Sequence, residues 1–161
     1  MHNVVERLIA IQSEIKELLT KNSSHNRDLN IIIVCKTFSM NKILPLIENG
    51  HIHFGENKVQ EAELKWKEVK KKHSNIKLHM VGKLQTNKVK AALNIFDYIH
   101  SVDNYKLAER IVKYEKELDK KIDTEEILTI ENPNDMCSTQ NLTITNTTET
   151  TLYQSTYTQV I

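Results

Sequence analysis

Ile31-Ile32-Ile33-Val34-Cys35-Lys36 is an unbroken apolar run closed by a lysine. A run that is apolar at every position, not at every second one, suits a strand buried on both faces in a parallel sheet. Working outward from it, Ser39 stands where it can cap a helix reaching Asn49, with Gly50 as its stop. Ile52 to Phe54 reads as a second strand, ending at Gly55-Glu56-Asn57. The pattern then repeats. It predicts a helix from Lys58 to about Lys72, a strand over Lys77–Val81 ending at Gly82, and a helix over Thr86–Asn94. A short strand over Tyr98–His100 and a helix over Asn104–Lys120 follow. Upstream, Val4, Val5, Leu8, Ile11, Ile15, Leu18 and Leu19 recur near a 3.6 period and predict a helix over residues 3–21. Strands alternating with helices of this length imply βαβ crossovers and a parallel sheet.

The remaining composition bounds the function. The 161 residues suit one domain with a tail. A formal net charge of +1 names no nucleic-acid or membrane partner. Two cysteines, Cys35 and Cys137, exclude a disulfide-rich scaffold and a four-cysteine zinc site. His51, His53, His73, His79 and His100 are scattered without a paired-histidine motif, so no metal is expected. The N-terminus reads as a helix start and not as a signal peptide, which makes the cytoplasm the expected compartment.

The average charge hides a break. Residues 1–121 hold all 22 Lys and Arg against 15 acids, a net of +7, while residues 122–161 hold 6 acids and no Lys or Arg. Thr supplies 9 of the last 31 residues. The expected organisation is therefore a folded unit over 1–121 and an atypical acidic Thr/Asn-rich tail over 122–161, with disorder as one reading of it. Glu126–Ile130 could add one strand.

In parallel α/β folds chemistry gathers at the carboxyl ends of strands. Here those ends carry Lys36, Asn57, the segment Gly82 to Lys88, and Ser101. Lys36 follows five apolar residues. Burial there would favour the neutral amine, the form that condenses with an aldehyde. The plainer reading is a lysine that opens the next loop and reaches water. Gly55-Glu56-Asn57 could equally be a turn. Thr86 or Asn87 could cap the following helix rather than hold an anion. Trp66 and Lys70-Lys71-Lys72-His73 read as a helix with a solvated charged face, and Cys35 as core.

Val34-Cys35-Lys36-Thr37, Phe54-Gly55-Glu56-Asn57-Lys58-Val59-Gln60-Glu61, His79-Met80-Val81-Gly82-Lys83-Leu84-Gln85-Thr86-Asn87-Lys88 and His100-Ser101-Val102-Asp103 together resemble the pyridoxal phosphate homeostasis protein family over residues 1–121. The resemblance implies an alanine-racemase-like (β/α)8 TIM-type barrel, here with only its first four or five strands. It implies pyridoxal 5′-phosphate (PLP) held as a Schiff base on Lys36, with Asn57, His79, Asn87 and Ser101 lining the same mouth. It further implies PLP, vitamin B6 and amino-acid homeostasis without catalytic turnover, in a cytoplasmic monomer. Lys83 departs from the family pattern, where His is usual. The later Ser/Gly-rich phosphate loop and Arg-x-Gly segment are absent from the sequence. A chain so shortened could instead be a non-functional remnant, or a module that dimerises through its open sheet edges.

Overall fold

The computed structural model describes residues 4–21, 30–120 and 122. Helix α1 (Val4–Lys21) leads into a repeating unit: β1 (Ile33–Val34), α2 (Met40–Glu48), β2 (His53–Glu56), α3 (Val59–Lys72), β3 (Lys77–Met80), α4 (Val89–Ile95), β4 (Tyr98–Ile99) and α5 (Tyr105–Leu118). A 3-10 turn over Thr86–Lys88 precedes α4. The four strands form one parallel sheet in the order β1-β2-β3-β4. The expected alternation is thus observed. The possible strand at Glu126–Ile130, the rest of the tail and Cys137 lie outside the described residues.

Local signals explain most boundaries. α2 ends in a left-handed glycine: Gly50 has φ of 87°, its N–H donates to the Ile47 carbonyl, and the His51 N–H donates to the Leu46 carbonyl. That pair satisfies two carbonyls that the helix end leaves open. Asn104 caps α5 by accepting the Leu107 N–H at 2.9 Å. Two capping expectations are corrected. Ser39 precedes α2 but its side chain makes no cap hydrogen bond. Neither Thr86 nor Asn87 is a cap, because the 3-10 turn takes both and leaves Gln85 and Lys88 in the cap positions.

Side chains at alternate strand positions take opposite faces. Phe54, Leu78, Met80 and Ile99 point to one face and are buried. Trp66 of α3 packs there, its ring 4.9 Å from that of Phe54. Ala92 and Leu93 of α4 and Leu107 and Ile111 of α5 complete this core. Trp66 is therefore core, and not part of a solvated face. Lys70 is tied down as well: its Nζ donates to the Ile95 carbonyl at 2.9 Å and to Asp97 Oδ2 at 2.5 Å. The same Asp97 oxygen accepts the Leu78 N–H at 2.7 Å, which joins the approach to β4 to β3. Lys120 Nζ donates to the Leu93 and Phe96 carbonyls at the end of α4. Ile122 is still buried in the core, one residue past the composition break.

Candidate functional site

The carboxyl ends of the strands meet through backbone more than through side chains. β1 and β2 pair with Val34 opposite Gly55, and the Cys35 N–H donates to the Gly55 carbonyl at 2.8 Å. Lys36 and Asn57 thus leave adjacent strand ends, two residues past a paired position on each. A Cβ at Gly55 would meet the Ile32, Val81 and Val34 side chains at 3.2–3.4 Å, so this face is filled right up to the mouth.

Asn57 then presses against the next loop. A Cβ on Gly82 would stand 2.4 Å from the Asn57 carbonyl oxygen and 2.7 Å from its Cα. Only glycine allows that approach. Ser101 Oγ donates to the Gly82 carbonyl at 2.5 Å. Asn57, Gly82 and Ser101 therefore link the ends of β2, β3 and β4 in one row. The Asn57 side-chain oxygen is buried and has no hydrogen-bond partner.

Lys36 follows the plainer of its two readings. Cys35 is buried at 1% exposure, but Lys36 lies in the turn after it and is exposed. The chain turns as the strand ends, so burial does not reach the amine. The thiol beside it is inert: burial, reinforced by the nearby Glu56 charge, pushes Cys35 up to about 12. Asn87 lies exposed in the 3-10 turn. A cleft of about 340 Å³ opens between the two loops, lined by Asn57, Lys58, Lys83, Gln85 and Lys88 among others. Lys36, His79, Asn87 and Ser101 do not line it.

His79 sits within β3, below the mouth, in a row of imidazoles across three strands. His53 Nδ1 lies 3.0 Å from His79 Nε2, and His79 Nδ1 lies 2.8 Å from His100 Nε2. The Tyr98 ring stacks on His79 at 4.4 Å. Burial, then the neighbouring His100, pushes His79 down to about 2, and burial pushes His100 down to about 4. A neutral ring donates at one nitrogen and accepts at the other, so His79 spends both on its neighbours. Among the described residues no group of three His, Cys, Asp or Glu is arranged to hold a metal.

A buried charge network lies behind the mouth and was missed from sequence. Glu56 is fully buried. Its Oε1 accepts Lys65 Nζ at 2.7 Å and Trp66 Nε1 at 2.8 Å, while Oε2 has no partner. Lys65 Nζ also donates to the Cys35 carbonyl at 2.8 Å. The available signal was an acid inside a strand with a lysine and a tryptophan nine and ten residues on.

Known proteins resemble this chain in sequence and in fold. A pyridoxal phosphate homeostasis protein of Buchnera aphidicola (subsp. Schizaphis graminum) is 36% identical over 114 residues, 71% of this chain and 49% of that protein. Its namesake in Haemophilus influenzae is 29% identical over 109 residues, 68% of this chain and 46% of that one. Over about 70% of its length this chain is similar to the pyridoxal phosphate homeostasis proteins. No family model matches it. Two solved structures of PipY from Synechococcus elongatus PCC7942 superpose on it. The form without PLP gives a TM-score of 0.56 at 36% identity, over 63% of this chain and 48% of PipY. The form with PLP bound gives 0.53 at 38% identity, over 64% and 49%. The sheet of this chain is accordingly a partial barrel of the TIM type. The chain spans about half the length of the curated relatives it matches. Those relatives bear the name of homeostasis proteins and not of an enzyme. No helix among the described residues is long and apolar enough to cross a membrane.

Proposed function

We propose that this chain binds PLP through the Lys36 amine and serves PLP (vitamin B6) and amino-acid homeostasis without turnover of its own, as a cytoplasmic monomer. The observation that carries the reading is the pairing of an accessible Lys36 with Asn57 at adjacent strand ends, in a chain 38% identical to a protein solved with PLP bound. The residues fit the group. Lys36 offers an exposed primary amine, and Asn57 offers a buried oxygen with no partner. PLP supplies an aldehyde that reacts with primary amines.

The chain's own groups divide the work. Lys36 attaches, and Asn57, locked under Gly82, stands beside it. Ser101 Oγ donates a hydrogen bond to the Gly82 carbonyl and so holds the loop. His79, with both nitrogens engaged, holds the sheet beneath the mouth and offers the ligand no free donor. Lys83 and Lys88 line the cleft beside Asn57, where positive charge attracts a phosphate dianion, while Asn87 lies exposed in the turn between them.

Trapping tests this. The protein is mixed with PLP, reduced with borohydride, digested and mapped. Selective pyridoxyl label on Lys36, abolished in Lys36→Ala, is expected. Label spread evenly over the lysines would reject the reading and leave a chain that keeps the motifs without the cofactor.

A further inference from the structure

We infer that Lys65, with Glu56 as its counter-ion, is the positioning residue that fixes Lys36 and Asn57 at the mouth; the inference rests on the reading of Lys36 as the attachment point. One ammonium reaches two strand ends from behind the sheet. Its contact on β1 is the Cys35 carbonyl, which belongs to the peptide bond leading into Lys36. Its contact on β2 is the side chain of Glu56, the residue before Asn57. Each target therefore lies one residue beyond an anchored group.

The anchors are tied to little else that could replace Lys65. The Cys35 carbonyl also accepts the Phe38 N–H at 3.0 Å, closing the turn that carries Lys36. The Glu56 carbonyl accepts the Val81 N–H at 2.9 Å, and its carboxylate takes a second donor from Trp66. Lys36 itself is exposed. An exposed, many-jointed side chain is placed only by its backbone. With its turn loose it would differ little from the other surface lysines. Stability alone does not account for the network. A buried ion pair commonly gains nothing over an apolar pair of similar volume, whereas hydrogen bonds at both strand ends fix direction. In effect, Lys65 converts the registration of α3 on the sheet into a fixed spacing between Lys36 and Asn57.

The test uses the 161-residue chain. Lys65→Met alone would strand a buried carboxylate and is expected to lose the fold, so the pair is replaced together as Glu56→Gln with Lys65→Met. The control is Asp97→Asn with Lys70→Met, which removes the half-buried pair between Lys70 of the same helix and Asp97 before β4. Two readouts are taken: the share of pyridoxyl label on Lys36 after reduction, and hydrogen exchange of the Phe38 amide without any cofactor. The double variant is expected to unfold cooperatively, to lose about tenfold or more of the Lys36 share, and to exchange the Phe38 amide about tenfold faster. The control is expected to change neither. A folded double variant with wild-type labelling and exchange overturns the inference. So does a double variant that does not fold, because the pair is then a stability element. If the unaltered chain shows no preference for Lys36, the cofactor reading falls, and Phe38 exchange alone decides whether Lys65 fixes the strand end.

Discussion

On the helix side of the sheet Phe54 and Leu78 are 0% exposed and Met80 and Ile99 1%, and the single acid among them, Glu56, is matched by Lys65 and Trp66. On the opposite side of the same strands stand His53, His79, Tyr98 and His100, joined by imidazole hydrogen bonds and a ring stack. The first side gains its stability from apolar area removed from water. The second gains it from hydrogen bonds that exist only while the rings are neutral. One chain thus carries a side that is indifferent to mild acid and a side that is not.

The largest expected effect is on the helix side. Trp66→Ala empties the centre of the core and removes a donor from Glu56, and is expected to cost about 3–5 kcal/mol. Urea unfolding measures it. A cost below about 1 kcal/mol would mean that the core does not centre there.

The histidine side is tested by pH. The folded chain holds His79 and His100 neutral, whereas the unfolded rings titrate near 6.5. Below pH 6.5 the unfolded chain therefore takes up protons that the folded chain refuses. Stability is complete above that pH and falls as pH falls, by about 2–3 kcal/mol between pH 6.5 and 5 for the two rings together. His51 and His53, also lowered by burial, act with the same sign. Asp103, held low by Lys83, titrates beneath this window. Unfolding midpoints at pH 7 and pH 5 give the slope, and His79→Phe should flatten it. A flat profile in the parent chain would erase the distinction between the two sides.

Two glycines sharpen the comparison at the sheet's ends. Gly82→Ala drives a methyl into the Asn57 backbone and is expected to cost about 1–3 kcal/mol and to weaken Lys36 labelling. Gly50→Ala meets open space but strains a left-handed φ, at about 1 kcal/mol with labelling intact. Equal effects on labelling would detach Gly82 from the mouth. Smallest of all is Lys36→Ala, an exposed change expected to stay within about 0.5 kcal/mol in stability while removing the pyridoxyl label.

Much of the fold was legible because the signals were local. The continuous run before Lys36, the 3.6 period of residues 4–19 and the stop at Gly50 each depend on neighbours in sequence. Ser39, in the cap position of α2 without a side-chain bond, and Thr86 and Asn87, outside the cap positions, show the limit, since a side chain able to cap does so only where the turn geometry presents an amide to it. Among the expected site residues, Lys36 and Asn57 do emerge at adjacent strand ends. Of the two readings of Lys36, the lysine that opens the next loop and reaches water is the one observed, because a turn begins at that residue. His79 is held in the sheet rather than at its rim, and Asn87 lies exposed.

Sequence by itself determined the alternation of strand and helix, the parallel sheet and the resemblance to the homeostasis proteins, because periodicity, glycine placement and motif spacing are written along the chain. Tertiary structure alone decided that Lys65 and Glu56 clamp the ends of β1 and β2. It also decided that Gly82 yields to Asn57, and that three histidines far apart in sequence share a row. The reason is physical: each depends on strand register and helix docking, which bring together groups 9 to 30 residues apart at distances of about 3 Å.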